Sequence, residues 1–149
     1  MKKKNLIVFL SVLIMLGCGA SGNSAELNWE SNLELALEKA AAEGKAVLVN
    51  FTGSDWCGWC IKLKNEVFSK PEFKEYAEAS LILVELDFPR ALKQSEETKQ
   101  YNQNKLKEYK IEGFPTVLLL DDSGKVLLRT GYLEGGAAVY VSHLEKKRS

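Results

Sequence analysis

A nearly unbroken apolar run, Ala46-Val47-Leu48-Val49-Asn50-Phe51, leads within a few residues into Cys57-Gly58-Trp59-Cys60. No other stretch constrains the chain as much. A short apolar run without polar alternation fits a strand covered on both faces, and the residues after the cysteines fit a helix to about Phe68. A cysteine at a helix start faces unpaired backbone N–H groups and the positive end of the helix dipole. Both favour the thiolate, the form that attacks disulfides. Cys60 follows one turn later on the same face and can close a ring with Cys57. The expected division is Cys57 as the exposed attacking thiolate and Cys60 as the more buried resolving thiol, which expels the partner from a mixed disulfide.

Two other uses of a cysteine pair fit less well. A structural zinc site needs four ligands, whereas the chain past its first 25 residues offers two cysteines and His143. A disulfide closing so small a loop contributes only ~2 kcal/mol in the entropic account, which a domain with a real core does not need. His143, far along the chain, reads as a surface or half-buried helix residue. No metal and no bound organic cofactor are expected, since the dithiol itself carries the electrons.

The order of the remaining elements points to an α/β fold with a mixed central β-sheet flanked by helices. Ser31 and Glu34 fit a capping box opening a helix that carries Leu33, Ala36, Leu37, Ala40 and Ala41 and stops at Gly44. Pro71 starts a short helix, and "LILVEL" at 81–86 reads as a second buried strand, parallel to the first through a right-handed crossover. A polar loop and helix with a poor apolar stripe fill Pro89 to Lys110. "GFPTVLLL", the turn Asp121-Asp122-Ser123-Gly124 and "KVLLRTGY" form a hairpin. A last helix from about Glu134 presents Ala137, Tyr140, Val141 and Leu144 on one face.

The N-terminus sets a location. Lys2, Lys3 and Lys4 precede an apolar stretch from Leu6 to Leu16, the layout of a secretory signal, and shorter than the roughly 20 residues that span a bilayer. It ends in "IMLGCGA", where Leu16, Gly17 and Cys18 match a lipobox and Met15 departs from it. Cys18 is therefore the expected lipidation site, with ordinary cleavage a few residues later as the alternative. Residues 1–18 form the signal, 19–28 a flexible tether of roughly 17–19 Å, and 29–149 the folded domain. The 149 residues hold 20 basic and 20 acidic side chains; without the three signal lysines the balance turns slightly acidic, and no basic excess points to nucleic acid.

"FTGSDWCGWCIKLKNEVFSKPEF" followed by "GFPTV" resembles the thioredoxin superfamily, most of all its exported single-domain members, which include a periplasmic disulfide reductase of chlamydiae. The resemblance runs from about Trp29 to Leu144. It implies the thioredoxin fold and thiol–disulfide exchange. It also implies a cis peptide at Phe114–Pro115, beside which a substrate chain pairs as an extra strand; a trans proline opening a strand is the simpler reading of Pro115 alone. Trp56 reads as shielding the site and Trp59 as partly exposed and available for substrate contact, with simple packing as the alternative for both, and Gly58 lies between the cysteines. Lys62 could help hold Cys57 ionised. Thioredoxins carry a buried aspartate on the preceding strand, and the matching position here is Asn50, which cannot take a proton. Water, Asp55, Glu66 or Lys62 are the substitutes open to it.

The expectation is an extracytoplasmic thiol–disulfide oxidoreductase that reduces or isomerises disulfides of envelope proteins. Its electrons would come from a separate membrane donor, and a lipid anchor would associate it with the membrane. The residues around such a pair shift its equilibrium by up to about 150 mV, roughly 7 kcal/mol for two electrons, so a dithiol oxidase is the alternative enzyme. A metal- or peptide-binding module of the same fold is the alternative of another class.

Overall fold

The computed structural model describes residues 26–148. The signal, Cys18 and the tether up to residue 25 lie outside the described residues. The sheet is organised around β2 (Ala46–Thr52), in which all seven residues are buried. Along one edge it pairs in parallel with β3 (Leu81–Asp87), placing Asn50 opposite Glu85. Along the other it pairs antiparallel with β4 (Thr116–Leu120), which continues through a hairpin into β5 (Val126–Thr130). A two-residue strand, β1 (Trp29–Glu30), adds in parallel outside β3, giving the order β1-β3-β2-β4-β5. Such a short edge is two residues long and has no periodicity to read. Leu27, assigned to the tether by its composition, packs against the core.

Helices cover both faces. On one, α1 (Leu33–Glu43) and α4 (Glu96–Glu108) close over Val47, Val49, Phe51, Val84 and Leu118. On the other, α2 (Gly58–Leu63), α3 (Pro71–Ser80) and α5 (Gly136–Arg148) close over Leu48, Leu83, Val117 and Leu119. The expected single helix to Phe68 continues past α2 as a π-helical turn, Lys64–Phe68. The wider turn brings Leu63, Val67 and Phe68 into the core together. Pro71 occupies the first turn of α3, where its missing N–H costs nothing. In α5, Ala137, Tyr140 and Leu144 are buried as the stripe implies, and Val141 packs partly beside them.

The expected capping box is not formed. Asn32, one residue later than Ser31, caps α1, its Oδ1 accepting the Leu35 N–H at 2.9 Å. Glu34 is drawn away instead, accepting from the Tyr101 hydroxyl at 2.6 Å and pairing with Lys105, both on α4. Burial works against its charge, but these two partners outweigh that and hold its carboxyl below the ordinary range. The other end of α1 is as expected: Gly44, at φ 66°, takes the left-handed cap and donates to Ala40.

The poor apolar stripe of α4 has a counterpart in how it docks. Asn102, 3% exposed, donates from Nδ2 to the Asp87 carbonyl at 2.8 Å. The Tyr101 hydroxyl accepts the Leu33 N–H at 2.7 Å, satisfying a donor at the α1 start from another helix. Burial, then the Glu34 carboxylate, push the Tyr101 phenol up to about 12. Tyr101→Phe leaves that N–H without its partner and Glu34 with Lys105 alone, so it should cost about 1–2 kcal/mol. The check is a lower urea midpoint with an unchanged denaturant slope.

Candidate active site

β2 ends in a tight loop that delivers the cysteines. The Gly53 carbonyl accepts from both Trp56 N–H (3.3 Å) and Cys57 N–H (2.9 Å). Gly53 is required by close approach: a Cβ there would stand 2.5 Å from the Trp56 indole. Cys57, in extended backbone at φ −87° and ψ 102°, is the N-cap of α2, and its Sγ accepts the Cys60 N–H at 3.2 Å. The two sulfurs form a disulfide across a Cα separation of 5.2 Å. Both residues are buried, at 6% and 4% exposure. The expected contrast of an exposed Cys57 and a buried Cys60 is therefore absent in this disulfide form. What separates them is position: a thiolate at Cys57 sits at a helix N-terminus with a backbone donor already directed at it. Among the described residues, no cluster of three or more His, Cys, Asp or Glu side chains suits a metal ion.

Two tryptophans stand on either side of Cys57 in sequence, and they are held differently. Trp56 donates from Nε1 to the Phe88 carbonyl at 2.8 Å. Its ring carries the Arg90 guanidinium 3.7 Å from the ring centre and meets Phe114 edge-on at 5.9 Å. Phe114 in turn stacks on Phe88 at 5.0 Å and precedes Pro115 through a cis peptide bond. Trp59 is 57% exposed and tilts against Tyr132 at 5.2 Å. Lys62 lies over both rings, and the Tyr132 hydroxyl donates to Glu66. Tyr132, helped by Glu66 and against some desolvation, raises Lys62 above its ordinary value, so its charge is secure. Gly58 opens α2 with free space around it.

Two carboxylates tie the loops after β2 and β3 together. Asp87 accepts from the Ser54 N–H at 2.9 Å and the Ser54 hydroxyl at 2.6 Å. Asp55 accepts the backbone N–H groups of Arg90, Ala91 and Leu92. The geometry is thus a disulfide at a strand-to-helix junction, braced by a neighbouring loop.

Known proteins share this arrangement. Residues 33–146 match the thioredoxin-like domain family. The chain belongs to the thioredoxin-like family. It is 44% identical over 122 residues to the disulfide bond reductase DsbH of Chlamydia pneumoniae, covering 82% of this chain and 73% of that protein. It is 29% identical over 133 residues to the thioredoxin-related protein DsbJ of the same organism, covering 86% of this chain but 38% of that longer one. A solved structure of DsbH oxidoreductase superposes with a TM-score of 0.77 at 44% identity, over 83% of this chain and 85% of that one.

In this thioredoxin-like chain the substitutes for a missing acid are otherwise occupied. Asp55 holds the 90–92 backbone, Glu66 holds Tyr132, and Lys62 covers Trp59 and Tyr132. Asn50, 4% exposed, donates from Nδ2 to Glu85 Oε2 at 3.4 Å, while its Oδ1 has no partner among the described residues. The sequence reading passed over Glu85. Its signal was an acidic residue inside the run "LILVEL", on the strand that pairs with β2. Arg90 was also missed, since it only becomes part of the site when Asp55 folds its loop over Trp56.

The Asp55 clasp depends on pH in a definite direction. The N–H groups of Arg90, Leu92 and Ala91 hold its carboxyl below the ordinary 3.8. A depressed carboxyl contributes stability above its ordinary value and loses it as pH falls through the depressed one. Asp55→Ala should therefore raise amide hydrogen exchange at residues 90–92 roughly tenfold at neutral pH. The gap from wild type, expressed as protection factors, should close below pH 3.8.

Proposed function

We propose that this chain is an extracytoplasmic thiol–disulfide oxidoreductase that reduces or isomerises disulfides of envelope proteins through Cys57 and Cys60. The observation that carries the reading is the Cys57–Cys60 disulfide with Cys57 as helix N-cap, its Sγ accepting the Cys60 N–H. In the reduced protein that N–H favours a thiolate at Cys57. The thiolate attacks a partner disulfide, one partner sulfur leaves and takes up a proton, and a mixed disulfide remains on Cys57. Cys60 then attacks Cys57 Sγ, restoring the ring and releasing the second partner thiol. Two electrons pass to the partner, and a separate membrane donor returns them.

The partner chain enters between the two tryptophans. Phe114 and the cis Pro115 offer a backbone edge for an extended segment, Trp56 forms one wall, and the exposed Trp59 provides an apolar contact. Residues 1–18 act as an export signal ending at Cys18, whose lipidation would anchor the domain through the segment that follows.

Single-cysteine variants give the test. Cys60→Ser should accumulate mixed disulfides with envelope proteins, and Cys57→Ser should not; the reverse pattern would overturn the roles. The reduced wild-type domain should catalyse reduction of insulin disulfides, and a glutathione titration should place its potential near thioredoxin, about −270 mV, rather than near the strong periplasmic oxidant, about −120 mV. Cys18→Ala should move the protein from the membrane fraction to the released fraction.

A further inference from the structure

The reaction leaves one proton unassigned. Cys60 attacks only as a thiolate, yet it is 4% exposed and bulk water has poor access to it. A nearby acceptor must take its proton. Among the described residues, Asp55, Glu66 and Asp87 each already hold a loop or a side chain, and His143 lies on α5 against Tyr140.

Strand alternation puts Asn50 on the same face of β2 as Ala46 and Leu48. This is the face covered by Leu63, Val67 and Phe68 of the cysteine helix. Glu85 shares that face on β3, directly opposite Asn50 and bonded to its amide. Glu85 also lines an open cleft of about 190 Å³ with Glu26, Lys64, Ser69 and Lys74. One carboxylate thus touches both the buried amide beneath the cysteine helix and a route to solvent. The unpartnered Asn50 Oδ1 is a second sign. A buried carbonyl without a donor costs about 1–3 kcal/mol, and a thiol or a water present in the reduced protein would satisfy it.

We propose that Glu85 accepts the proton of Cys60 during resolution through an intervening water, with the Asn50 amide holding its carboxylate in place, rather than by touching either sulfur. The step rests on the exchange reading above. In the mixed disulfide the Cys60 thiol gives its proton to the Glu85 carboxylate. The Cys60 thiolate then attacks Cys57 Sγ, forming the Cys57–Cys60 bond and breaking the Cys57–partner bond. The partner leaves as a thiolate carrying the electron pair, and Glu85 returns the proton to it. Burial and then Asp87 raise the Glu85 carboxyl, while Lys64 and the Asn50 amide oppose them. A raised carboxyl is a better base for a thiol than an ordinary one. The charged groups facing Glu85 are thus Asp87 on its own strand, Lys64 on the π turn, and Glu26 and Lys74 across the cleft.

The test separates attack from resolution. Attack is read as the alkylation rate of Cys57 in the reduced protein. Resolution is read as release of a fluorescent thiol from a mixed disulfide formed on Cys57, as a function of pH. Glu85→Gln keeps the shape and can still bond Asn50. It should leave alkylation unchanged, slow release at neutral pH roughly 10²-fold, and move the acidic limb of the profile up towards the ordinary thiol range. The difference should vanish above the ordinary thiol value of about 8.5. Adding Asn50→Asp in that background restores a carboxylate on the partner strand and should recover most of the rate. Unchanged release in Glu85→Gln, or a slowing equal at every pH, would overturn the assignment. So would a folded double variant with no recovery. If wild type forms no mixed disulfide at Cys57, the exchange reading itself fails, which is a separate result.

Discussion

Burial of β2 on both faces, with both of its edges paired, is the constraint on which the rest depends. Seven consecutive buried residues tie the strand to both helical layers, and a one-residue slip would carry Asn50 off the face it shares with Glu85 and into the opposite apolar layer. With β3 parallel on one side and β4 antiparallel on the other, the loops after β2 and β3 emerge at the same end of the sheet. Parallel strands leave their carboxyl ends open at such a point, and ligand sites collect there. The cysteines follow β2 by a loop too short to reach elsewhere. Their position is a consequence of the strand, and the placement of Cys57 at a helix start follows from the turn at Gly53.

Against that apolar background the Asn50–Glu85 pair stands out energetically. Burying a Val or Leu side chain stabilises a fold by roughly 1.5–3 kcal/mol, so an apolar residue at position 50 would be the stabilising choice. The chain instead keeps an amide with an unmatched carbonyl oxygen and sets a carboxylate beside it. Packing alone gives no reason for this choice. Moving the Cys60 proton from a buried sulfur out to the cleft, as proposed above, does.

The elements that were legible in the sequence are those written in local pattern. The apolar runs at 46–51 and 81–86, Pro71 at a helix start and Gly44 at a helix end each carry their own physics, and each appears where expected. What was not legible depends on contacts between distant positions. Ser31 and Asn32 are both good caps, and the choice between them goes with Tyr101 and Lys105, which engage Glu34. Glu85 acquires meaning only through the β2–β3 register. The π turn after α2 is a packing solution, and α4 docks through Tyr101 and Asn102, so its apolar stripe was weak for a physical reason. At the site, the pair of cysteines was visible in the sequence, while the loop at 90–92 that braces Trp56 was not.

That bracing makes the two walls of the site unequal. Trp56 has its indole N–H bonded, one face covered by Arg90 and an edge against Phe114, all resting on a loop fixed by Asp55. Trp59 has only ring contacts with Tyr132 and Lys62 and leaves more than half its surface open. Ordering a rotamer-rich side chain on binding costs roughly 0.5–1.5 kcal/mol. On the Trp56 side that ordering is already part of the fold, so this wall can align a partner disulfide with Cys57 without further loss. On the Trp59 side the cost falls at each encounter, and the ring can adjust to different neighbours of a disulfide. A braced wall beside an exposed one is what the exchange proposed for Cys57 and Cys60 would use, one side positioning a partner sulfur and the other adapting to its surroundings.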